Sequence, residues 1–554
     1  MRIWTAIILA ASLALVLSCQ PQNTGKEQAP QSGSAERSTE KEPAKGDSKA
    51  NLPEPAEVKK PVEKEPAKGD SKANLPEPAE VKKPAEKEPA KTGSPANPAE
   101  PAEAKKPAKT GSSTNPAEPA EDKEPAEDKL TKTFGPVTME VVPNFTMLPA
   151  DQGSDMNLLI KLQGAKSEVK KRPPLDLAIV LDRSGSMRGD KLRFVKQAAM
   201  ELVDKLDRTD RVTLITYSTE VSVESERLPM DGPGREQLRK IIAKINATDR
   251  TALGPALFTA LDILEKAQRE ETDLAHVILL SDGLANVGET RPEVLAARTS
   301  SAFSHGVSVT TLGVGLDYNE DLMTRVADQG GGRYHFIKNA DTITGVLGDE
   351  LAGLSSSVAR GVFLSFRPAS GVRLDKVFGY PVEDNDGMAK IKVGGLYSAQ
   401  TREILVRLRV SDAKVPSAQL GTLFLSFKDV TAEGRDVEEE MPLGLAVSAD
   451  AEAVKKSEKT EVTIRLTEVQ SADEMDQAAR AVERGDFEAA RGIMSSSLSR
   501  VREQAVATPS ARLDTQIRAL ESAGGAAMDA AAESEEAKKD YIKGRKAESY
   551  NLMK

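Results

Sequence analysis

The chain has 554 residues, of which 39% are hydrophobic and only 4% aromatic, and its formal net charge is −10. That length leaves room for two to four domains, but the scarcity of rings excludes one large core. The acidic balance excludes nucleic acid as the main partner, because such binding needs a basic surface to displace counterions.

The sequence reads Met1 and Arg2, then an apolar run from Ile3 to Leu17, then Ser18 and Cys19. A charged start, a short hydrophobic region and a small residue at the cut site read residues 1–19 as a signal peptide. Cys19 is the single cysteine, so no intrachain disulfide can form. Val16-Leu17-Ser18-Cys19 resembles the bacterial lipobox, with Leu17 bulkier than the usual residue there. The resemblance implies that Cys19 is lipidated and becomes the new N-terminus, anchoring the protein in the bacterial cell envelope. Each acyl methylene buried in the bilayer would contribute about 0.8 kcal/mol. Gln20, where aspartate would mark inner-membrane retention in enteric bacteria, favours the outer membrane over the inner. No later run reaches the roughly 18 apolar residues that a spanning helix needs, so the mature chain is expected to be anchored to the membrane without crossing it.

Residues 20–130 are rich in Pro, Ala, Glu and Lys and form a low-complexity linker. KEPAKGDSKANLPEPAEVKKP starts at Lys41, recurs at Lys64 and decays from Lys87. Solenoid repeats carry leucines or aromatics to stack, and these carry almost none, so ordering entropy is unopposed and a disordered stalk is expected. As polyproline II, roughly 110 residues would reach about 340 Å. The competing reading is that the Lys/Pro repeat itself binds the cell wall.

Residues 131–172 hold two strand-like runs, TMEVVPNFTML and the alternating MNLLIKLQG from Met156. Leu175–Asp182, LDLAIVLD, is continuous and apolar, as in a strand buried on both faces of a parallel sheet. Helical and strand patterns then alternate. Helices are expected at 191–206, 253–266, 319–329 and 341–354, with strands starting at Arg211, Leu274 and Val307. The pattern predicts a doubly wound α/β domain, a mostly parallel Rossmann-like sheet, over 173–355. Residues 356–450 offer strand candidates at sandwich-like spacing, and the two strands of 131–172 are assigned to the same sheet system because unpaired edges tend to be covered. Asp384-Asn385-Asp386-Gly387 reads as a hairpin turn, since Val382 and Val393 fall where the outer acidic ligands of a calcium loop belong. Residues 451–554 form a β/helical C-terminal region in which 472–505 resembles a tetratricopeptide-type helical hairpin with its turn at Gly485-Asp486. One hairpin is too few for a binding groove, so it is read as a packing appendage. The polar stretch from Ala526 is expected to fray.

The first buried strand ends in Asp182-Arg183-Ser184-Gly185-Ser186, and Thr251 and Asp282 follow at loop positions opening a helix and closing a strand. Asp-x-Ser-x-Ser with that later threonine and aspartate resembles the von Willebrand factor type A and integrin inserted domain family. The resemblance implies a metal-ion-dependent adhesion site with Asp182, Ser184, Ser186, Thr251 and Asp282 as ligands. Mg2+ fits best, with Mn2+ and Ca2+ as alternatives. A hard ion of that kind takes six oxygens at about 2.0–2.1 Å and keeps some waters. Three hydroxyls with two carboxylates would leave it open to a protein partner's Asp or Glu carboxylate. One departure is Asp249-Arg250, where relatives often carry two glycines, so that Arg250 could crowd the ion; Thr248 is the alternative ligand.

His276, His305 and His335 show neither metal nor triad spacing. There is no His-Glu-x-x-His and no Gly-x-x-x-x-Gly-Lys-Ser/Thr, so a zinc protease and a nucleotide-driven motor are excluded. The leading expectation is a cation-dependent protein-binding lipoprotein. Its segment order resembles the bacterial group labelled calcium-activated chloride channel-like. The alternative is an envelope scaffold whose cation is structural only, and an enzyme is the weakest reading for want of a poised base.

Overall fold

The computed structural model describes residues 130–167, 172–411 and 413–554. The signal segment, Cys19 and the repeat linker lie outside the described residues. The described chain opens with strands β1 (Leu130–Phe134), β2 (Val137–Pro143), β3 (Met147–Pro149) and β4 (Ser154–Gly164). The α/β unit follows: β5 (Leu175–Asp182), α1 (Asp190–Lys205), β6 (Arg211–Tyr217), β7 (Val221–Pro229), α2 (Gly232–Lys244) and α3 (Leu253–Lys266). It continues through β8 (Leu274–Ser281), α4 (Pro292–Ser304), β9 (Val307–Val314), α5 (Glu320–Gln329), β10 (Gly331–Ile337) and α6 (Ile343–Ser355).

Its sheet runs β10-β9-β8-β5-β6-β7, parallel except for the β6–β7 pair. All eight residues of β5 and of β8 are buried, because helices cover both faces of a parallel sheet. Val195 and Leu202 of α1, Leu238 of α2 and Leu347 of α6 fill one face with Leu177 and Ile179. Leu257 of α3, Leu295 of α4 and Met323 of α5 fill the other with Val180 and Val277.

The chain then returns to strands: β11 (Ser357–Pro368), β12 (Val372–Val377), β13 (Val382–Asn385), β14 (Met388–Tyr397), β15 (Thr401–Val410), β16 (Ser417–Asp429) and β17 (Arg435–Ser448). Two sheets result, β1-β2-β4-β15-β12 and β13-β14-β11-β16-β17-β3, so strands before and after the α/β unit share both. Their inner faces meet in one core that includes Met139, Ile160, Leu364, Leu408 and Leu425, the arrangement of a sandwich. Asp384–Gly387 is the tip of the β13–β14 hairpin, with the Gly387 N–H donating to Asp384 Oδ1 at 3.0 Å.

The remaining chain is helical: α7 (Ala451–Lys456), α8 (Thr460–Glu483), α9 (Phe487–Ala507), α10 (Ala511–Ala523), α11 (Ala526–Glu533) and α12 (Glu535–Met553). The α8–α9 hairpin turns at Gly485, whose φ of +81° suits glycine. Val462 and Val469 of α8 cover the outer face of the first sheet at Leu159 and Leu405. The expectation that the tail frays from Ala526 is corrected. Helix α12 buries Tyr541, Lys543, Lys546 and Ser549, and its ammonium groups reach Glu320 of α5 at 3.2 and 2.7 Å. It reads as polar because ionic contacts carry much of its docking. No helix among the described residues is long and apolar enough to cross a membrane.

One buried polar group joins separate elements within the α/β unit. Glu350 of α6 accepts a hydrogen bond from Thr310 Oγ1 at 2.6 Å, with His276 and His335 3.5 and 3.6 Å away. His276 is 2% exposed, and burial holds its imidazole below the usual histidine range. The unfolded chain therefore takes up a proton near pH 6.5 that the folded protein refuses, so the stability associated with neutral His276 is complete above that pH and declines below it. Thermal melts of wild type and His276→Gln between pH 7 and 5 should show wild type losing ground to the variant as pH falls. A constant difference would contradict this.

Candidate functional site

Strands β5 and β8 are neighbours in the sheet, so their carboxyl ends bring distant stretches of sequence together. This is where open α/β sheets present ligand sites. Asp182 ends β5 and is fully buried. Its Oδ1 accepts from the Ser184 N–H at 2.8 Å and its Oδ2 from the Ser281 hydroxyl at 2.9 Å. Burial pushes the Asp182 carboxyl up to about 6, with the charge of Asp282 adding to the shift and the hydrogen bonds from Ser184 and Ser281 opposing it.

Asp282 follows β8 and is equally buried. Its Oδ1 accepts from Ser186 Oγ at 2.7 Å, and Ser186 Oγ lies 3.1 Å from Ser184 Oγ. Its Oδ2 is paired with Lys191 Nζ at 2.6 Å. Gly283 packs beside the remaining predicted residue: a methyl there would sit 3.5 Å from Ser186 Oγ and 3.6 Å from Thr251 Oγ1. Thr251 is fixed by Asn286, whose Oδ1 accepts from its backbone N–H at 3.0 Å. All five predicted residues therefore border one crevice.

Thr248, the alternative, is used elsewhere, accepting from Arg183 Nη1 at 3.0 Å. The serine loop is stitched to this segment by Gly185 N–H to Asp249 O at 3.0 Å and Thr248 N–H to Arg183 O at 2.7 Å. Arg250 is exposed.

The expectation of a divalent cation held here is corrected. Among the described residues no group of three or more His, Cys, Asp or Glu side chains is assembled that could hold a metal ion. Two carboxylates face the crevice and all four of their oxygens already accept hydrogen bonds, one from the Lys191 ammonium. The positive charge beside Asp282 is thus a side chain of the protein, and the reading in which a cation serves only the structure falls with the expectation.

Two residues of the site were not anticipated. Lys191 lies at the start of α1 and reaches back to Asp282, and its side chain is 30% exposed against 0% for its partner. Leu284 stands 58% exposed two residues beyond Asp282. An apolar residue directly after Asp282-Gly283 was the only signal in the sequence. Lys191 gave none.

The three histidines lie away from the serines. His276 sits in the amino half of β8 and shares a 2.7 Å hydrogen bond with Ser308, while His305 and His335 neighbour Glu265 and Glu350. The crevice joins hydroxyls, two buried carboxylates and one ammonium.

Residues 176–348 match the family model of the von Willebrand factor type A domain. Over 286 residues the chain is 24% identical to the uncharacterized protein sll0103 of Synechocystis sp., covering 50% of this chain and 67% of that one. It is 30% identical over 164 residues to human inter-alpha-trypsin inhibitor heavy chain H4, covering 29% of this chain but only 18% of the heavy chain. The uncharacterized protein YfbK of Escherichia coli is 28% identical over 233 residues, 41% of this chain and 40% of its own length. Among solved structures, a von Willebrand factor type A protein from Catenulispora acidiphila superposes with a TM-score of 0.56 at 17% identity, covering 72% of this chain and 91% of that one. The α/β unit of this chain is a von Willebrand factor type A fold, related at a distance to bacterial and eukaryotic proteins that carry one.

Proposed function

We propose that this chain is a protein-binding module of the bacterial envelope, and that its docking face is the carboxyl edge of the α/β sheet. The observation that carries the reading is the partly exposed Lys191 side chain, its ammonium held on buried Asp282, two residues before the protruding Leu284. An ammonium has three donors, and Asp282 takes one. The others suit a partner's Asp or Glu carboxylate. Leu284 adds an apolar anchor next to that polar contact, the combination found at the centre of protein interfaces.

The signal-like segment with Cys19 supports a lipid anchor, and the repeat-bearing linker supports presentation of the domain at a distance from the membrane, with the outer membrane favoured. The order of segments supports a place beside the calcium-activated chloride channel-like group of bacterial proteins.

The test compares full-length Leu284→Asp with Val506→Asp, whose valine is 85% exposed on α9. Co-purification from solubilised envelopes is expected to lose the partner by at least about tenfold in the first variant and to keep it in the second. Equal recovery with both would overturn the reading.

A further inference from the structure

The opposite, amino edge of the α/β sheet forms a cleft with strands of the sandwich. It has a volume of about 590 Å³, within the range of small-molecule sites. It receives the segment before β8, the turn before β9, the start of β10, and residues of β11, β14, β16 and β17.

The charges lining it are unevenly matched. Glu271 and Asp436 are both held by Lys428, at 2.9 and 3.0 Å, and Asp273 has Arg211 at 3.8 Å. Glu270 and Glu438 are exposed. Among the cations of the walls, two guanidiniums each have one buried nitrogen without a hydrogen bond. Arg269 forms no hydrogen bond or ion pair within the described residues, and its Nη1 is buried without a partner. The nearby Asp176 gives Oδ2 to Arg227 at 2.9 Å, while its Oδ1 is also buried without a hydrogen bond and its charge favours the Arg269 guanidinium. Arg360 spends Nη2 on the backbone carbonyl of Glu271 and lies 3.8 Å from the Glu271 carboxylate, and its buried Nε has no hydrogen-bond partner. Among the described residues the Lys390 ammonium meets the Phe363 ring, 3.9 Å from the centroid.

A buried guanidinium nitrogen without an acceptor costs free energy, and two on one cleft is an arrangement that an incoming oxyanion would relieve. Burial lowers the pKa of both guanidiniums, and at Arg360 the charge of Glu271 opposes that shift while the charge of Arg269 adds to it. The lining also carries polar residues, among them Ser304, His305, Ser308 and Tyr397, beside an apolar patch. Phe303 and Phe363 form a tilted ring pair with centroids 5.2 Å apart. Gly306 keeps the approach to Arg360 open, since a methyl there would stand 3.2 Å from Nη1.

We infer that this cleft is a binding site for a small organic oxyanion, a carboxylate or phosphate on an apolar body, with Arg269 and Arg360 holding the anionic group and the Phe303–Phe363 pair covering the body. The site is separate from the docking face, being at the other end of the strands, and stands whether or not that reading holds.

Titration calorimetry of the full chain with phenyl phosphate, benzoate and inorganic phosphate tests it. At least one of the two aryl anions should bind saturably, at least about tenfold more tightly than inorganic phosphate, which lacks the apolar body. Whichever aryl anion binds tells carboxylate from phosphate. Arg269→Gln should weaken that binding by at least about tenfold, in a protein whose cooperative thermal melt shows that it is still folded. Lys390→Met serves as a second variant on the other wall and should weaken binding in the same direction. Failure of both aryl anions to bind saturably, equal affinity for inorganic phosphate, or full affinity in Arg269→Gln would each overturn the inference.

Discussion

With Asp210 replaced by alanine, the α/β unit is expected to lose about 3–5 kcal/mol of stability. Asp210 is fully buried just ahead of β6 and ties that strand to the start of β5. Its Oδ1 accepts from the Leu175 N–H and from Arg172 Nη1, both at 2.9 Å, and its Oδ2 accepts from the Asp207 N–H at 2.7 Å and from Arg172 Nη2. Alanine would strand two backbone donors and leave the Arg172 guanidinium, whose side chain is 14% exposed, without its main partner. Breaking a buried pair on one side costs more than the pair contributes, because the surviving charge stays desolvated. Denaturant unfolding of wild type and Asp210→Ala should show the loss, and a change below about 1 kcal/mol would mean that water replaces the carboxylate.

The second large effect belongs to Lys191. Lys191→Met keeps the length of the side chain and removes the charge, leaving Asp282 with one donor, the Ser186 hydroxyl. Because Lys191 is 30% exposed, solvent softens the loss, and about 2 kcal/mol is expected. Partner binding should fall by more than the stability change alone explains, at least about tenfold, because the ammonium is also the group offered to the partner. Lys191→Arg keeps a cation in reach and should recover most of both properties. If Lys191→Met folds and binds as wild type does, the ammonium has no part in docking.

Much of the α/β unit could be read from its residues. LDLAIVLD and LAHVILLS are continuous apolar runs, and only a strand covered on both faces tolerates them. The crevice residues Asp182, Ser184, Ser186, Thr251 and Asp282 were nameable because the chain places them directly after such runs or at the opening of a helix. Lys191 was not, because a long flexible side chain on a polar helix start gives no periodic signal, and its pairing with Asp282 spans 91 residues. The same limit hid the Glu350, His276 and His335 contacts, which join three separate elements. It also hid the sheet pairing of Leu159 with Leu405, where register depends on residues far apart in the chain. Helix α12 was misread because local polarity was taken for solvation, whereas Lys543 and Lys546 are buried against Glu320.

The most direct test of the docking face is site-specific photocrosslinking on intact cells, with a photoreactive residue at position 284 in one full-length variant and at position 506 in another. The account predicts a discrete protein adduct from position 284 that disappears when Lys191→Met is added, and none of that adduct from position 506. The same adduct from both positions, or one at 284 that survives Lys191→Met unchanged, would contradict it.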